Sequence, residues 1–429
     1  MKDFFSIKKL AVYRRLSNGN EVLLGQLAQN QKAVYFQYDN AYLESYHSLS
    51  PFKLPFDNTL HQALAQPHQG LHGVFSDSLP DGWGLLLMDR IFRQQNIPLQ
   101  QITAMDRLAY IGDSGIGALS YRPVIDWKIT EQDQWVDLGS LGQQAMQLFD
   151  GEAETVLTAL ANAGGSAGAR PKALIYLDQQ QSDYIATKAQ ADLQPWLIKF
   201  TSQNLLLAHD EGLCEAAYLS MAKNAGIDEP EWKLFTAPET SNAKAWLAMK
   251  RFDCSVDNIG RYHTHSLCGL LDADFRQPSM DYEDLIKASQ VLCNSPAVGK
   301  QQFTRALFNL FASNQDDHSK NWSFLMDDSG QWQIAPFYDV TFSPNPHNQH
   351  MMSYGGYGQQ PPLKTVQKLA ALANFPNWKN AQIEIEKVLD ALSQWGECAR
   401  GLGVSQENIK LVGKQLDLVY QQNKGLVLN

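Results

Sequence analysis

Apolar positions run along this chain in two rhythms. In residues 7–38 they form short runs, Leu10-Ala11-Val12-Tyr13, Glu21-Val22-Leu23-Leu24 and Ala33-Val34-Tyr35-Phe36, with Ser17-Asn18-Gly19-Asn20 between the first two. Short β-type runs divided by an Asn-Gly turn predict a hairpin in a small antiparallel sheet. Helical spacing starts after Ser78-Leu79-Pro80-Asp81-Gly82-Trp83-Gly84, in the run Leu85 to Phe92, with Asp81 as its expected cap. A helix over 104–110 ends at Gly112-Asp113-Ser114-Gly115-Ile116-Gly117-Ala118, a structural turn before a strand whose glycines also suit a phosphate. Residues 1–125 therefore read as a small α+β domain.

Polar residues 126–140 mark a boundary, and a helical stretch follows near 140–162. Strands are predicted over Ala173–Leu177, Tyr184–Thr187, Pro195–Phe200 and Ala245–Asp253, with a helix from His209 to Asn224 stopped by Gly226. Beyond residue 255 the period becomes helical. Tyr282, Leu285, Ile286, Ser289 and Leu292 share one face, as do Phe303, Leu307, Leu310 and Phe311, and later Ile385, Val388, Leu389 and Leu392. Ser405 caps a further helix to about Tyr420, and residues 351–362 read as a loop. The expected limits are 1–125 for the first domain, 126–253 for a sheet-bearing unit and 254–429 for a helical one.

One polar stretch interrupts the helical part: Asn314-Gln315-Asp316-Asp317-His318-Ser319-Lys320-Asn321. The runs Trp322–Met326 and Trp332–Ala335 about Asp327-Asp328-Ser329-Gly330 predict a hairpin after it, leading to Asp339. Asp316 and Asn321 stand five positions apart, the interval between the base and the metal-holding Asn of a protein-kinase catalytic loop. Asp339 falls where the hairpin would return a second metal-binding carboxylate, and phosphoryl transfer needs that set. Asp317 competes with Asp316 as the carboxylate nearest a substrate hydroxyl; the spacing favours Asp316. A polar surface turn accounts for the eight residues equally well, but not for Asp339. A metallohydrolase built on Asp316, Asp317 and His318 is weaker, because adjacent side chains seldom all point inward.

Upstream segments fit the same chemistry. In Gly164-Gly165-Ser166-Ala167-Gly168-Ala169-Arg170-Pro171-Lys172 the glycines permit close backbone approach to an anion, and Arg170 and Lys172 supply charge. Lys199, flanked by apolar residues in Pro195-Trp196-Leu197-Ile198-Lys199-Phe200, needs an anion unless it reaches water at a sheet edge. Glu215 on the following helix is the expected ion-pair partner, with a solvated Glu as the alternative. Asp253 closes the strand whose end would form a hinge against adenine, and is placed to reach a ribose.

Charge and cysteines narrow the class. A net charge of −10 argues against direct nucleic-acid binding by the chain itself. Five widely spaced cysteines without a Cys-x-x-Cys pair predict neither a disulfide framework nor a zinc cage. No run reaches membrane-span length and the first residues lack a signal-peptide core, so a soluble cytoplasmic protein without membrane contact is expected.

Taken together, Leu79-Pro80-Asp81-Gly82-Trp83, the Gly164–Lys172 loop, Leu197-Ile198-Lys199-Phe200, Lys250-Arg251-Phe252-Asp253, Asn314-x-Asp316-x-His318-x-Lys320-Asn321 and Ala335-Pro336-Phe337-Tyr338-Asp339-Val340 resemble the HipA family, kinase-fold toxins of bacterial toxin–antitoxin pairs. The resemblance implies an α+β, protein-kinase-like two-lobed fold, with a sheet-bearing N-lobe and a helical C-lobe, preceded by a small α+β N-terminal domain. It implies a serine/threonine protein kinase using ATP and magnesium. Asp316 would be the catalytic base, and Asn321 and Asp339 would hold magnesium. Lys199 would meet the nucleotide phosphates under the loop Ser166, Ala167, Gly168, Ala169, Arg170 and Lys172. The segment Arg251, Phe252 and Asp253 would take the adenosine, with His318 and Lys320 nearby. The family autophosphorylates a loop Ser, which points to Ser166; a phosphate there would repel ATP and switch the enzyme off. The implied partners are a helix-turn-helix, HipB-like antitoxin, DNA only through that antitoxin, and a protein substrate of which aminoacyl-tRNA synthetases are the family's known class. The competing expectation is a catalytically idle kinase-fold regulator that acts by binding the antitoxin.

Overall fold

Alternate burial builds the first sheet. In the computed structural model, which describes residues 4–125, 135–153, 156, 158–163, 168–178, 184–190 and 193–427, strand β1 (Lys9–Arg15) buries Leu10, Val12 and Arg14 at every second position, the period of a strand. It pairs with β2 (Glu21–Gln29) across the expected turn. With β3 (Val34–Tyr38), β4 (His61–Gln62) and β5 (Leu119–Arg122) it forms an antiparallel sheet of order β4-β3-β2-β1-β5. Helices α1 (Asn40–Ser45), α2 (Gly73–Ser76), α3 (Gly82–Gln94) and α4 (Ala104–Ile111) complete this part, α4 starting at a Thr103–Asp106 capping box.

The second sheet, also antiparallel, holds β6 (Trp135–Asp137), β7 (Lys172–Leu177), β8 (Tyr184–Ala186), β9 (Gln194–Lys199), β10 (Trp232–Thr236) and β11 (Ala245–Lys250), in the order β10-β11-β9-β7-β8-β6. β7 is buried at every position, which accounts for its unbroken apolar run. α5 (Leu138–Phe149) and α6 (Thr158–Asn162) precede β7. α7 (Glu211–Asn224) lies between β11 on one side and, on the other, two helices of the next lobe. Its Cys214, Ala217, Tyr218, Leu219 and Met221 are all buried, the property of a helix enclosed on every side.

The helical lobe contains α8 (Leu267–Leu271), α9 (Tyr282–Leu292), α10 (Ala297–Ala312), α11 (Leu363–Leu372), α12 (Trp378–Ser393), α13 (Trp395–Gly401) and α14 (Gln406–Asn423). The faces predicted for α9 and α10 are buried, and Ser405 caps α14 by accepting from the Asn408 amide. α12 and α13 are the two that pack on α7. β14 (Ser323–Met326) and β15 (Trp332–Ile334) form the expected hairpin. β12 (His263–Ser266) adds a third strand that its polar sequence, His-Thr-His-Ser, does not announce. Within the stretch read as a loop, β16 (Met352–Ser353) makes a short parallel pair with β13 (Met280–Asp281).

Packing does not follow chain order. One apolar core runs from the first sheet into α5, β7, β9 and Trp246 of β11; the other joins α7 to α9–α14. The N-terminal domain is thus continuous in packing with the second sheet, and α7 belongs to both lobes. It also touches the helical lobe directly, where α2 crosses α8 so closely that a Cβ on Gly73 would collide with the Gly269 carbonyl, and one on Gly269 would come 2.7 Å from the Gly73 oxygen. Backbone on both sides leaves nothing to yield. Gly73→Ala is therefore expected to cost roughly 1–3 kcal/mol, read as a lowered unfolding midpoint in a thermal melt; an unchanged midpoint would show that this crossing is loose.

Candidate functional site

The cleft between the lobes is built from the ends of regular elements. Lys199 is the last residue of β9, and its Nζ donates to Glu215 Oε1 of α7 (2.6 Å) and to Asp339 Oδ1 (2.5 Å). All three come together although they are far apart in the chain. Arg170 Nη2 pairs with Glu211 Oε2 at 3.0 Å, one turn before Glu215, and Lys172 is buried beside them at the start of β7. Burial opposes every one of these charges, and the outcome depends on the neighbours. For Asp339 burial alone would raise the carboxyl, but Lys199, Lys172 and Arg170 hold it far below the usual carboxylate range. Lys199 is likewise held up by Asp339 and Glu215 against its burial. Burial wins at Lys172, pushing its ammonium down, and at Glu211, pushing its carboxyl up. Asp339 takes φ of +56°, a left-handed conformation that costs a non-Gly residue energy and recurs at functional positions.

The polar octapeptide begins where α10 ends in left-handed Ser313. Its two adjacent carboxylates face opposite ways. Asp317 is fully buried, accepting from Tyr282 Oη (2.5 Å), His350 Nδ1 (2.9 Å) and the amides of Met351 (2.8 Å) and Met352 (3.2 Å). Asp316 has a side chain 60% exposed toward the cleft, with His318 Nε2 3.8 Å away. Although solvent reaches it, the cleft walls crowd its carboxyl and raise it above the ordinary range, Asp339 adding to the effect and His318 opposing it. Asn321 Nδ2 donates to the Asp316 carbonyl at 2.8 Å. That bond fixes the amide, because a carbonyl only accepts, and leaves Oδ1 as the end that can accept or ligate.

Three expectations need correction. Asp81 stands at the start of α3 but makes no capping bond. Its Oδ1 accepts from the Gly168 amide and its Oδ2 from Lys320 Nζ (2.8 Å), so one carboxylate from the N-terminal domain ties the glycine-rich loop to the octapeptide. The Trp83 amide also donates to the Gly168 carbonyl and its indole to the Lys172 carbonyl, both at 2.9 Å. Lys320, expected beside a nucleotide, is taken up by Asp81 and by the face of Phe275, 4.6 Å from the ring centroid; His318 packs on the same ring. Arg251 and Asp253 are turned to each other (3.0 and 2.6 Å), to the Gly115 carbonyl (3.1 Å) and to the Gly117 amide (2.7 Å). The Asp253 carboxylate thus belongs to a joint with the N-terminal domain and not to a ribose, because burial in the pair leaves it no free face. Phe252 lies between them in sequence and packs on Tyr338, centroids 5.5 Å apart. Ala169 sits against Gly82. Ser166 and Ala167 lie outside the described residues.

Asp81 is the residue that sequence spacing missed, since its partners are 87 and 239 positions away. The donor set in the cleft, the Asp339 carboxylate and the Asn321 amide oxygen with Asp316 nearby, consists of hard oxygens that suit magnesium. Among the described residues no group of three or more His, Cys, Asp and Glu side chains converges as a metal cage; Asp317 faces away from Asp316.

Fold and site define a protein-kinase-like, two-lobed α+β architecture carrying an N-terminal α+β domain. The chain belongs to the HipA family: the model of the HipA-like C-terminal domain matches residues 164–396, more than half of the chain, and that of the HipA N-terminal domain matches 18–122. Among curated proteins it is similar to "Putative kinase Y4mE" of Sinorhizobium fredii, 25% identical over 348 residues, covering 74% of each chain. Among solved structures, a chain of the Shewanella oneidensis MR-1 toxin antitoxin system HipA, HipB and operator DNA complex matches with a TM-score of 0.67 and 16% identity, over 96% of both chains.

The strap through Asp81 generates a prediction. The Asp81 carboxyl is drawn below its usual range, Lys320 and the Gly168 amide outweighing its burial. A depressed folded value means that the contribution is present above the unfolded value, about 3.9, and is lost as pH falls through the lower folded one. Asp81→Asn should speed hydrogen exchange at residues 168–172 by roughly tenfold or more. Its stability deficit against wild type should hold constant above about pH 5 and shrink below about pH 4; a deficit independent of pH would remove the carboxylate from this role.

Proposed function

We propose that this protein is an ATP-dependent serine/threonine protein kinase and the toxin of a toxin–antitoxin pair. The observation that carries the proposal is the division of labour at the octapeptide: Asp316 faces the cleft while Lys199, Glu215 and Asp339 close on one another behind it. Asp316 accepts the proton of a substrate hydroxyl. Its exposure lets a protein side chain reach it, and its raised carboxyl brings its basicity nearer the working pH. Lys199, with Arg170 and Lys172, meets the nucleotide phosphates, and Glu215 holds the Lys199 ammonium in place. Asn321 Oδ1 and Asp339 would hold magnesium, which supplies charge neutralisation on the phosphates. Adenine falls to the backbone around Phe252, since the Asp253 side chain is committed elsewhere.

The domain limits 1–125, 126–253 and 254–429 belong to the same proposal. So does autophosphorylation at Ser166, two residues before the Gly168 amide that Asp81 holds: a charge of about −1.5 to −2 there would repel ATP and release the loop. Family membership and the relative named as a kinase support the enzyme class. The likeness to a HipA–HipB–operator complex supports a helix-turn-helix antitoxin that brings this acidic chain to DNA. The protein substrate is proposed as an aminoacyl-tRNA synthetase. The chain has no described helix long and apolar enough to cross a membrane, and a cytoplasmic location is proposed with the rest.

Incubation with ATP and magnesium should add one phosphate to the wild type, mapped at Ser166, by intact mass and peptide analysis. Asp316→Asn should slow this by about 10²–10⁴-fold. The wild-type rate should rise with pH through a group titrating above the ordinary carboxylate value of about 4, because the base works only when ionised. Nucleotide binding without any transfer, together with a growth effect that survives Asp316→Asn, would instead establish an idle regulator.

A further inference from the structure

Buried cations elsewhere in the described chain have acceptors. Arg14 donates to Tyr42 Oη (3.2 Å) and the Asp327 carbonyl (2.8 Å), Lys199 to two carboxylates, and Arg251 to Asp253. Arg305, in the middle of α10 and only 5% exposed, donates to no acceptor among the described residues. Its guanidinium lies over the Phe337 ring, 5.5 Å from the centroid. A ring face offsets part of the lost hydration, and the guanidinium nitrogens are not sealed in the protein, so N–H donors without a protein acceptor open into the space beside them. The group lines a cavity of about 270 Å³ with Ser295, Gln301, Trp332 and Gln333 on its walls. Asp228 also lines the cavity, exposed and making no ion pair with Arg305.

We propose that this cavity binds a small monocarboxylate anion, its two oxygens taken by the Arg305 fork. Planar guanidinium and planar carboxylate match in two parallel hydrogen bonds. Trp332, with Val298 and Ile334 beside it, offers an apolar wall for a short alkyl tail. Asp228 sets the charge preference: one negative charge at the floor is neutralised by Arg305, whereas a second would face the Asp228 carboxylate. Burial pushes the guanidinium down to about 10, with Asp228 only partly opposing, so it stays cationic at neutral pH and still lacks a counter-ion. The site is separate from the cleft, since neither Lys199, Asp316 nor Asp339 lines it, and it does not rest on the kinase proposal. It is nonetheless connected to the cleft, because the Phe337 amide donates to the Asp228 carbonyl (2.8 Å) and Asp339 follows two residues later.

The test is thermal melting of the full chain titrated with sodium propionate against sodium chloride at equal ionic strength. The expected result is a midpoint that rises saturably with propionate alone. Arg305→Gln should abolish the rise. Gln301→Glu, an exposed position on the same helix, should abolish it as well, by setting a carboxylate in the cavity without touching the core; it covers the case in which Arg305→Gln fails to fold. Sodium phosphate should give a smaller Arg305-dependent rise than propionate. A wild-type response equal to chloride, a rise that survives Gln301→Glu, or a larger Arg305-dependent rise with phosphate would each overturn the proposal.

Discussion

A single buried ammonium holds the cleft in shape. Lys199 leaves water completely, and the only favourable state open to it is contact with anions, which α7 and the Asp339 segment provide. Removing either carboxylate leaves Lys199 with a single anion and so weakens the charge compensation that its burial requires. Three pieces of chain distant in sequence are thereby fixed together: the end of β9, α7 and the segment that follows the β14–β15 hairpin. Arg170 and Lys172 on one side and Glu211 on the other bring the count to three cations against three carboxylates. A site so nearly neutral has little spare positive charge. In the proposed reaction a nucleotide would bring several negative charges, and a divalent cation held by Asn321 and Asp339 would add the positive charge that the lysines alone do not supply.

The same logic makes the N-terminal domain part of the machinery. Asp81 touches the glycine-rich loop and the octapeptide with one carboxylate, and the loop around Gly115 and Gly117 grips the Arg251–Asp253 pair at the end of β11. A third tie joins Asp77 to His265 Nδ1 (2.6 Å), whose Nε2 lies 3.0 Å from Ser50 Oγ, all within the interface to β12. The glycine-rich loop, the octapeptide, the end of β11 and β12 are therefore each tied to residues 50–117. Those residues also share a hydrophobic core with the second sheet, so the domain and that sheet pack as one body, and the bonds to Lys320 and His265 join it to the helical lobe.

Local patterns were legible wherever the physics is local. The first hairpin, the buried faces of α9 and α10, the Ser405 cap and the β14–β15 hairpin all follow from spacing within a few residues. For Lys199 on its apolar strand the spacing left two outlets, an anion such as Glu215 or water at a sheet edge, and the structure takes the first. What escaped depended mostly on contacts between parts of the chain far apart in sequence. Asp81 looks like a cap from its neighbours and is a strap because of Gly168 and Lys320. Asp253 looks like a ligand group and is spent on Arg251 and Gly117. β12 is polar because His263 bonds the Leu49 carbonyl and His265 bonds Ser50 and Asp77 inside an interface, where hydrophobic periodicity gives no signal.

Asp316 and Asp317 show how far environment separates two identical side chains. Both are carboxylates on adjacent residues, but Asp317 accepts from a tyrosine, a histidine and two amides and has no lone pair to offer a substrate. Those bonds serve to hold residues 350–352 against α9, so Asp317 fixes the floor from which Asp316 projects. Because successive residues in an extended segment point to opposite sides, burying the one commits the other to the cleft. Tyr282 and His350 hold Asp317 on the inner side, so that of the two Asp316, the one the spacing favours, keeps its carboxylate facing solvent beside Asn321.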